Sequence, residues 1–300
     1  MISWQAKTVK YLLKKNTSKK HFNPAKIKKH RSNFDRNMRI LFPSMLHGVT
    51  ITQKKIAKIP VTEISPTKTV KRTIIYAHGG GFVFGSSKGY QQHLIRLAKL
   101  CNAKVISIDY SLSPENPFPI ALNEIQKVWR ELLKQGCDNT KTVFMGDSAG
   151  ASLALGTVLK LRNTKQKQPA CLVLLSPALD ATFSGASYLL NKKKEVLLNE
   201  AKMTFFVQAY AQNHPINDPY ISLIFADLTS IPPFLIHVGS EEMLLSDSET
   251  VIKNAKRDSV NGTLYIGNGM WHGWHLCASF VPEAKEAMKA VAEYIISHTV

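Results

Sequence analysis

The chain has 300 residues, 44% of them apolar, and a formal net charge of +18. That length holds one large α/β domain with added segments, or two small domains, and no apolar run approaches the ~20 residues of a membrane span, the pattern of a soluble globular protein. The four cysteines, Cys101, Cys137, Cys171 and Cys277, are irregularly spaced with no C-x-x-C pair, which argues against a disulfide framework or a zinc site and fits free thiols in a reducing, cytoplasmic compartment.

The charge is concentrated at the start. Residues 1–60 contain twelve Lys and three Arg against Asp35 alone, a local charge of +14, leaving +4 for the rest of the chain. Within this arm Ile2, Ala6, Val9 and Leu13 fall at helical spacing, with Lys7, Lys10 and Lys14 elsewhere on the wheel, an amphipathic pattern broken too often by lysine for a signal peptide. A solvated basic face, contact with an anionic membrane surface and nucleic-acid binding are the three readings of such charge. No nucleic-acid module accompanies it, so no nucleic-acid partner is expected; contact with an anionic membrane surface, and with it a place peripheral to a membrane, is left open beside the solvated face.

Residues 48–64 alternate as an antiparallel hairpin. The strand expected over 69–77 then runs into His78-Gly79-Gly80-Gly81-Phe82, where three glycines let the backbone approach a ligand and turn its N–H groups into a cavity. A helix over 85–101, a buried strand over 104–110, a proline-punctuated loop over 111–119 and a helix over 120–134 follow. Next comes an apolar strand ending in Gly146-Asp147-Ser148-Ala149-Gly150, a tight turn opening a helix, and then a strand over 171–176. Residues 180–226 break the rhythm with a long helical segment from the Lys192-Lys193-Lys194 run through Tyr210, an insertion of the kind that forms lids. Strand 234–239, helix 247–256, strand 263–267 and helix 282–297 close the chain. Alternating buried strands and helices imply a mostly parallel sheet covered on both faces.

The Gly-x-Ser-x-Gly turn holds Ser148 at its apex, where the start of a helix aims unpaired N–H groups at any negative charge forming beside the hydroxyl. The N–H of Ala149 and those of the glycine loop can converge on one oxyanion, as acyl transfer requires. A hydroxyl nucleophile also needs a base, in turn oriented by an acid, and in this chain order the acid precedes the histidine.

These segments, with Asp109-Tyr110-x-Leu112-x-Pro114-Glu115-x-Pro117-Phe118-Pro119, His237-Val238-Gly239-Ser240-Glu241-Glu242 and Gly269-Met270-Trp271-His272, resemble the hormone-sensitive-lipase-like (bacterial family IV) carboxylesterases of the α/β-hydrolase superfamily, collinearly from about residue 70 onward. The resemblance implies an α/β-hydrolase fold with a central sheet of about eight strands and a helical cap. The implied division is an N-terminal cap segment over 1–45, core over 46–179 and 227–300, and a cap insertion over 180–226. It implies Ser148 as nucleophile, His272 as base, Glu242 as acid, and Gly80, Gly81 and Ala149 as oxyanion donors, acting on small acyl esters of short to medium chain with no cofactor and no metal.

Glu241 and Asp247 are alternative acids and His275 an alternative base. His78 is expected to brace the glycine loop and Asp147 to hold the turn through hydrogen bonds. Ser111 and Asn116 replace the Arg and His that relatives commonly carry, which weakens the expected polar anchoring of that loop. An amidase or deacetylase using the same triad, and a non-catalytic ligand receptor, are the alternative functions; a homodimer is left open.

Overall fold

The apolar runs become strands of one sheet. The computed structural model describes residues 1–17, 24–41 and 47–299; positions 18–23 and 42–45 of the expected cap segment, position 46 of the expected core and position 300 lie outside the described residues. Strands β1 (Val49–Ile56) and β2 (Ile59–Pro66) form the expected antiparallel hairpin, turned by Ala57 and Lys58, both at positive φ, as a twist-matched two-residue turn requires. They are followed by β3 (Arg72–Ala77), β4 (Ala103–Ile108), β5 (Thr142–Asp147), β6 (Cys171–Leu175), β7 (Phe234–Gly239) and β8 (Gly262–Gly267). The sheet order is β1-β2-β4-β3-β5-β6-β7-β8; β2 pairs antiparallel with β4, and every later pair is parallel.

Nine α-helices accompany the sheet among the described residues: α1 (Trp4–Thr17), α2 (Ile27–Leu41), α3 (Ser87–Cys101), α4 (Ile120–Lys134), α5 (Ala149–Asn163), α6 (Ser187–Leu190), α7 (Glu200–Ala211), α8 (Leu245–Arg257) and α9 (Pro282–His298). Successive strand residues point to opposite faces, and β5 shows the consequence. Phe144 joins the layer of α4, α5 and α8, where Trp129 meets it edge-on at 5.2 Å, whereas Val143 and Met145 join the layer of α3 and α9. Both layers are apolar cores, so the central strands are mostly apolar, β6 throughout its length.

Local chemistry sets the helix ends. Ser86 caps α3 by accepting from the Gly89 N–H at 3.1 Å, and Asn102 closes it in the left-handed conformation. The helix expected straight after the lysine run begins only at Glu200, capped by Asn199, because the Glu195 carboxylate first takes the N–H groups of Val196 and Leu197 at 2.8 and 2.9 Å. A side chain that satisfies backbone donors this way competes with helix.

The N-terminal helices dock by polar clasps. Arg31 on α2 donates to the Val83 and Ser113 carbonyls and forms a two-point pair with Glu115 at 2.9 and 2.7 Å. The 111–119 loop is therefore anchored in spite of its unusual residues, and Ser111 adds two bonds of 2.7 Å to Glu124.

Candidate active site

Ser148 sits at the carboxyl end of β5, where open α/β sheets form their ligand crevices. Its backbone is at φ 51°, ψ −123°, a strained conformation for a residue with a side chain. The crossing is so close that a methyl on Gly150 would run into the Ala77 carbonyl and one on Gly146 into the Gly150 backbone. Only glycine fits at either position, which explains the spacing of the motif.

Three residues from distant strands meet there. His272 Nε2 lies 3.0 Å from Ser148 Oγ, and His272 Nδ1 lies 2.9 Å from Glu242 Oε2. Glu242 is wholly buried, and its other oxygen accepts from Ser176 Oγ and the Gly239 N–H, both at 2.6 Å. Burial pulls the His272 pKa down, but the Glu242 hydrogen bond, with the charges of Glu242, Glu195 and Asp147, outweighs it and leaves the imidazole above its ordinary value.

The alternative residues stand elsewhere. Glu241 faces away and pairs with Lys10 of α1. Asp247 accepts from the Leu179 and Asp180 N–H groups and the Tyr188 hydroxyl at 2.9 to 3.0 Å, fastening the start of the 180–226 insertion. His275 is packed between Trp274, at 4.2 Å, and His237, and burial holds its pKa well below the ordinary value.

The glycine loop is held against the serine turn by Asp147. Its carboxylate accepts from Tyr76 Oη at 2.8 Å, the Gly79 N–H at 2.9 Å and Tyr90 Oη at 2.9 Å. Burial raises the Asp147 pKa, and these donors partly offset that. The His78 ring stacks on Tyr110 at 4.4 Å, and the His78 carbonyl accepts from the Tyr110 hydroxyl at 2.6 Å. Gly80 and Gly81 are at φ 120° and 63°, angles that leave little choice but glycine. Among the described residues, no acceptor meets the N–H of Gly80, Gly81 or Ala149. Phe206 of α7 lies directly against Gly81, and Tyr210 stacks on Phe82 at 3.7 Å, so the 180–226 segment covers this loop.

Three contributors escape a motif reading. Ser176, just past the end of β6, donates to Glu242, and its oxygen accepts from the Gly273 N–H at 3.2 Å, next to His272. Glu195 and Asn191 brace the Glu242 turn: Asn191 Nδ2 donates to the Ser240 and Glu242 carbonyls at 3.1 and 2.9 Å, and Glu195 accepts from the Met243 N–H at 3.4 Å. Among the described residues no cluster of His, Cys, Asp and Glu could hold a metal ion, and no helix is long and apolar enough to cross a membrane.

The comparisons agree with this architecture. Residues 74–276 match the family described as alpha/beta hydrolase fold. The chain is 34% identical to an esterase of Acinetobacter venetianus, over 83% of this chain and 82% of that protein. It is 32% identical to an acetyl-hydrolase of Streptomyces hygroscopicus, over 79% of each. A solved hormone-sensitive lipase from a metagenome library superposes with a TM-score of 0.94 at 31% identity, covering 100% of both chains. An esterase from the bacterial hormone-sensitive lipase family does so with 0.94 at 25%, again over 100% of both. On this evidence the chain belongs to the alpha/beta hydrolase fold family, in its hormone-sensitive-lipase-like esterase branch.

Proposed function

We propose that the protein is a serine carboxylesterase that hydrolyses short- to medium-chain acyl esters through an acyl-enzyme. The observation that carries the reading is the hydrogen-bonded chain Ser148–His272–Glu242 beside the unengaged N–H groups of Gly80, Gly81 and Ala149. His272 Nε2 takes the Ser148 proton as Oγ bonds to the ester carbonyl carbon, and the oxyanion forms against the three N–H donors, each worth about 3 kcal/mol. Glu242 holds the ring in register and supports its positive charge. The imidazolium passes its proton to the departing alcohol oxygen, leaving Ser148 acylated. Water then gives a proton to His272 as it attacks the acyl carbon, and collapse frees the acid and returns the proton to Ser148.

Residues 1–17 and 24–41, the described part of the 1–45 segment, act with 180–226 as the cap in this reading. Phe34 and Phe206 close around Phe84 beside the glycine loop, walls that favour modest acyl chains over long ones. The test is initial-rate hydrolysis of p-nitrophenyl esters of graded length. Ser148→Ala is expected to lose activity at least about 10,000-fold and Glu242→Gln about 10,000-fold, while Glu241→Gln stays near wild type. Inactivity of the wild type across the series, or survival of Ser148→Ala, would sink the proposal.

A further inference from the structure

The solvent face of α1 carries side chains that its packing does not explain. Ile2, Val9 and Leu13 pack with buried Ala6 against the core of α3 and α9. On the opposite side, two turns apart, Trp4 and Tyr11 are exposed by 71% and 65%, and Leu12, at the edge of that face, by 51%, flanked by exposed Lys7, Lys14 and Lys15. A helix that buries one apolar stripe in its own domain and shows a second to water has a partner outside the domain.

A second segment adjoins it. Lys10 ties α1 to the 240–243 turn through Glu241, and Asn191 and Glu195 grip the same turn. The charge of Lys194 accordingly bears on the Lys10 ammonium, together with that of Lys14. Beside Lys194 are exposed Lys193 and, on α6, Leu189 and Leu190, exposed by 78% and 71%. Tryptophan and tyrosine among leucines, ringed by lysines, is the composition of a helix lying in a membrane interface.

We propose that α1 and the 189–194 turn form a docking surface for anionic lipid bilayers, with Trp4, Tyr11 and the leucines at the level of the headgroups and the lysines against the lipid phosphates. Charge decides among occupants. A second copy using the same patch across a two-fold axis would set lysine against lysine. A nucleic acid would meet the lysines but leave Leu12, Leu189 and Leu190 without apolar cover, which the acyl boundary supplies.

The chain carries its own reporter. Of its four tryptophans Trp129, Trp271 and Trp274 are fully buried, so Trp4 is the exposed indole. The full chain is mixed with vesicles of phosphatidylcholine alone or with phosphatidylglycerol. Expected are co-sedimentation with the anionic vesicles only, release by salt, a blue shift of emission, and quenching by brominated acyl chains. The double variant Lys7→Glu, Lys14→Glu, checked for an unchanged melting temperature, is expected to bind about 25-fold more weakly or worse, since each lysine near such a surface contributes about fivefold. Trp4→Ser is expected to lose the emission response. Absence of salt-sensitive binding, full affinity in the lysine variant, or binding with Trp4 emission unmoved would overturn the proposal. So would tighter binding to a short DNA duplex, or a concentration-dependent dimer that shields Trp4 without lipid. None of these readouts uses ester hydrolysis, so they stand apart from the fate of the esterase reading.

Discussion

The hydroxyl of Ser176 donates to Glu242 Oε1 at 2.6 Å while accepting the N–H of Gly273 at 3.2 Å, so one side chain joins the acid to the segment that carries His272. Ser176→Ala would leave that carboxylate oxygen in a fully buried site with the Gly239 N–H as its partner. A hydrogen bond to a charged group is worth about 1.5–3 kcal/mol. The variant is expected to lose about tenfold or more in kcat with KM little changed, and to melt at a lower temperature. Steady-state kinetics and a thermal melt on the same preparation check this; wild-type kcat would mean that the bond does not position the acid.

The pH profile follows from the sign of the His272 shift. The imidazole must be neutral to act as base, and its pKa lies above the ordinary 6.5. The acid limb of kcat/KM is therefore expected to have its midpoint above that value, activity falling as protonation blocks the base. Glu242→Gln removes the nearest charge that favours the imidazolium and the charge-assisted character of its hydrogen bond, so its residual activity should show the limb moved to lower pH. Glu195→Gln should move it the same way by less, because Glu195 acts on His272 through charge alone. A pH series of initial rates on the three proteins decides the matter, and an unmoved limb in Glu242→Gln would contradict the assigned sign.

Asp147 joins the two halves of the site, since its carboxylate receives three donors, the Gly79 N–H of the glycine loop among them. Asparagine is nearly the same size, but its amide nitrogen would face a donor. One buried donor left without an acceptor costs about 1–3 kcal/mol. Asp147→Asn is expected to lower the melting temperature and kcat together, as the glycine loop loses its tether. Tyr90→Phe removes a single donor and should cost less on both counts. Differential scanning calorimetry paired with p-nitrophenyl acetate kinetics would expose the reverse ranking.

Much of this arrangement was legible because several residues admit one geometry. Gly146 and Gly150 flank a crossing with no room for a Cβ, and the alternation of buried runs with helices required a parallel sheet. The inward stripe of α1 was also readable, since Ala6 and its helical neighbours meet the core as their spacing demands. What escaped were polar residues with no periodicity. Ser176 and Glu242 are 66 positions apart, and Glu195 and Met243 are 48 apart; a serine after a strand and a glutamate after lysines carry no local mark of such partners. The late start of α7 escaped for a related reason, since Glu195 diverts backbone donors that the apolar pattern alone assigns to a helix. The second stripe of α1, with Trp4 and Tyr11, was visible only when exposure was known.

Phe206 offers the most direct way to read the pocket. Its ring lies where a Gly81 side chain would be, meets Phe84 at 5.7 Å in an edge-on contact, and reaches the site from the 180–226 insertion. A ring in that position shortens the space available beside the oxyanion donors without touching the Ser148–His272 bond. Phe206→Ala is therefore expected to move the chain-length optimum of p-nitrophenyl ester hydrolysis toward longer acyl groups and to raise kcat/KM for those esters, with loss on the shortest ones as their contacts thin. Stability should fall moderately, because the ring is only partly buried. An unchanged optimum with uniformly lower rates would place Phe206 in the cap's structure and the acyl group on the other side of the serine.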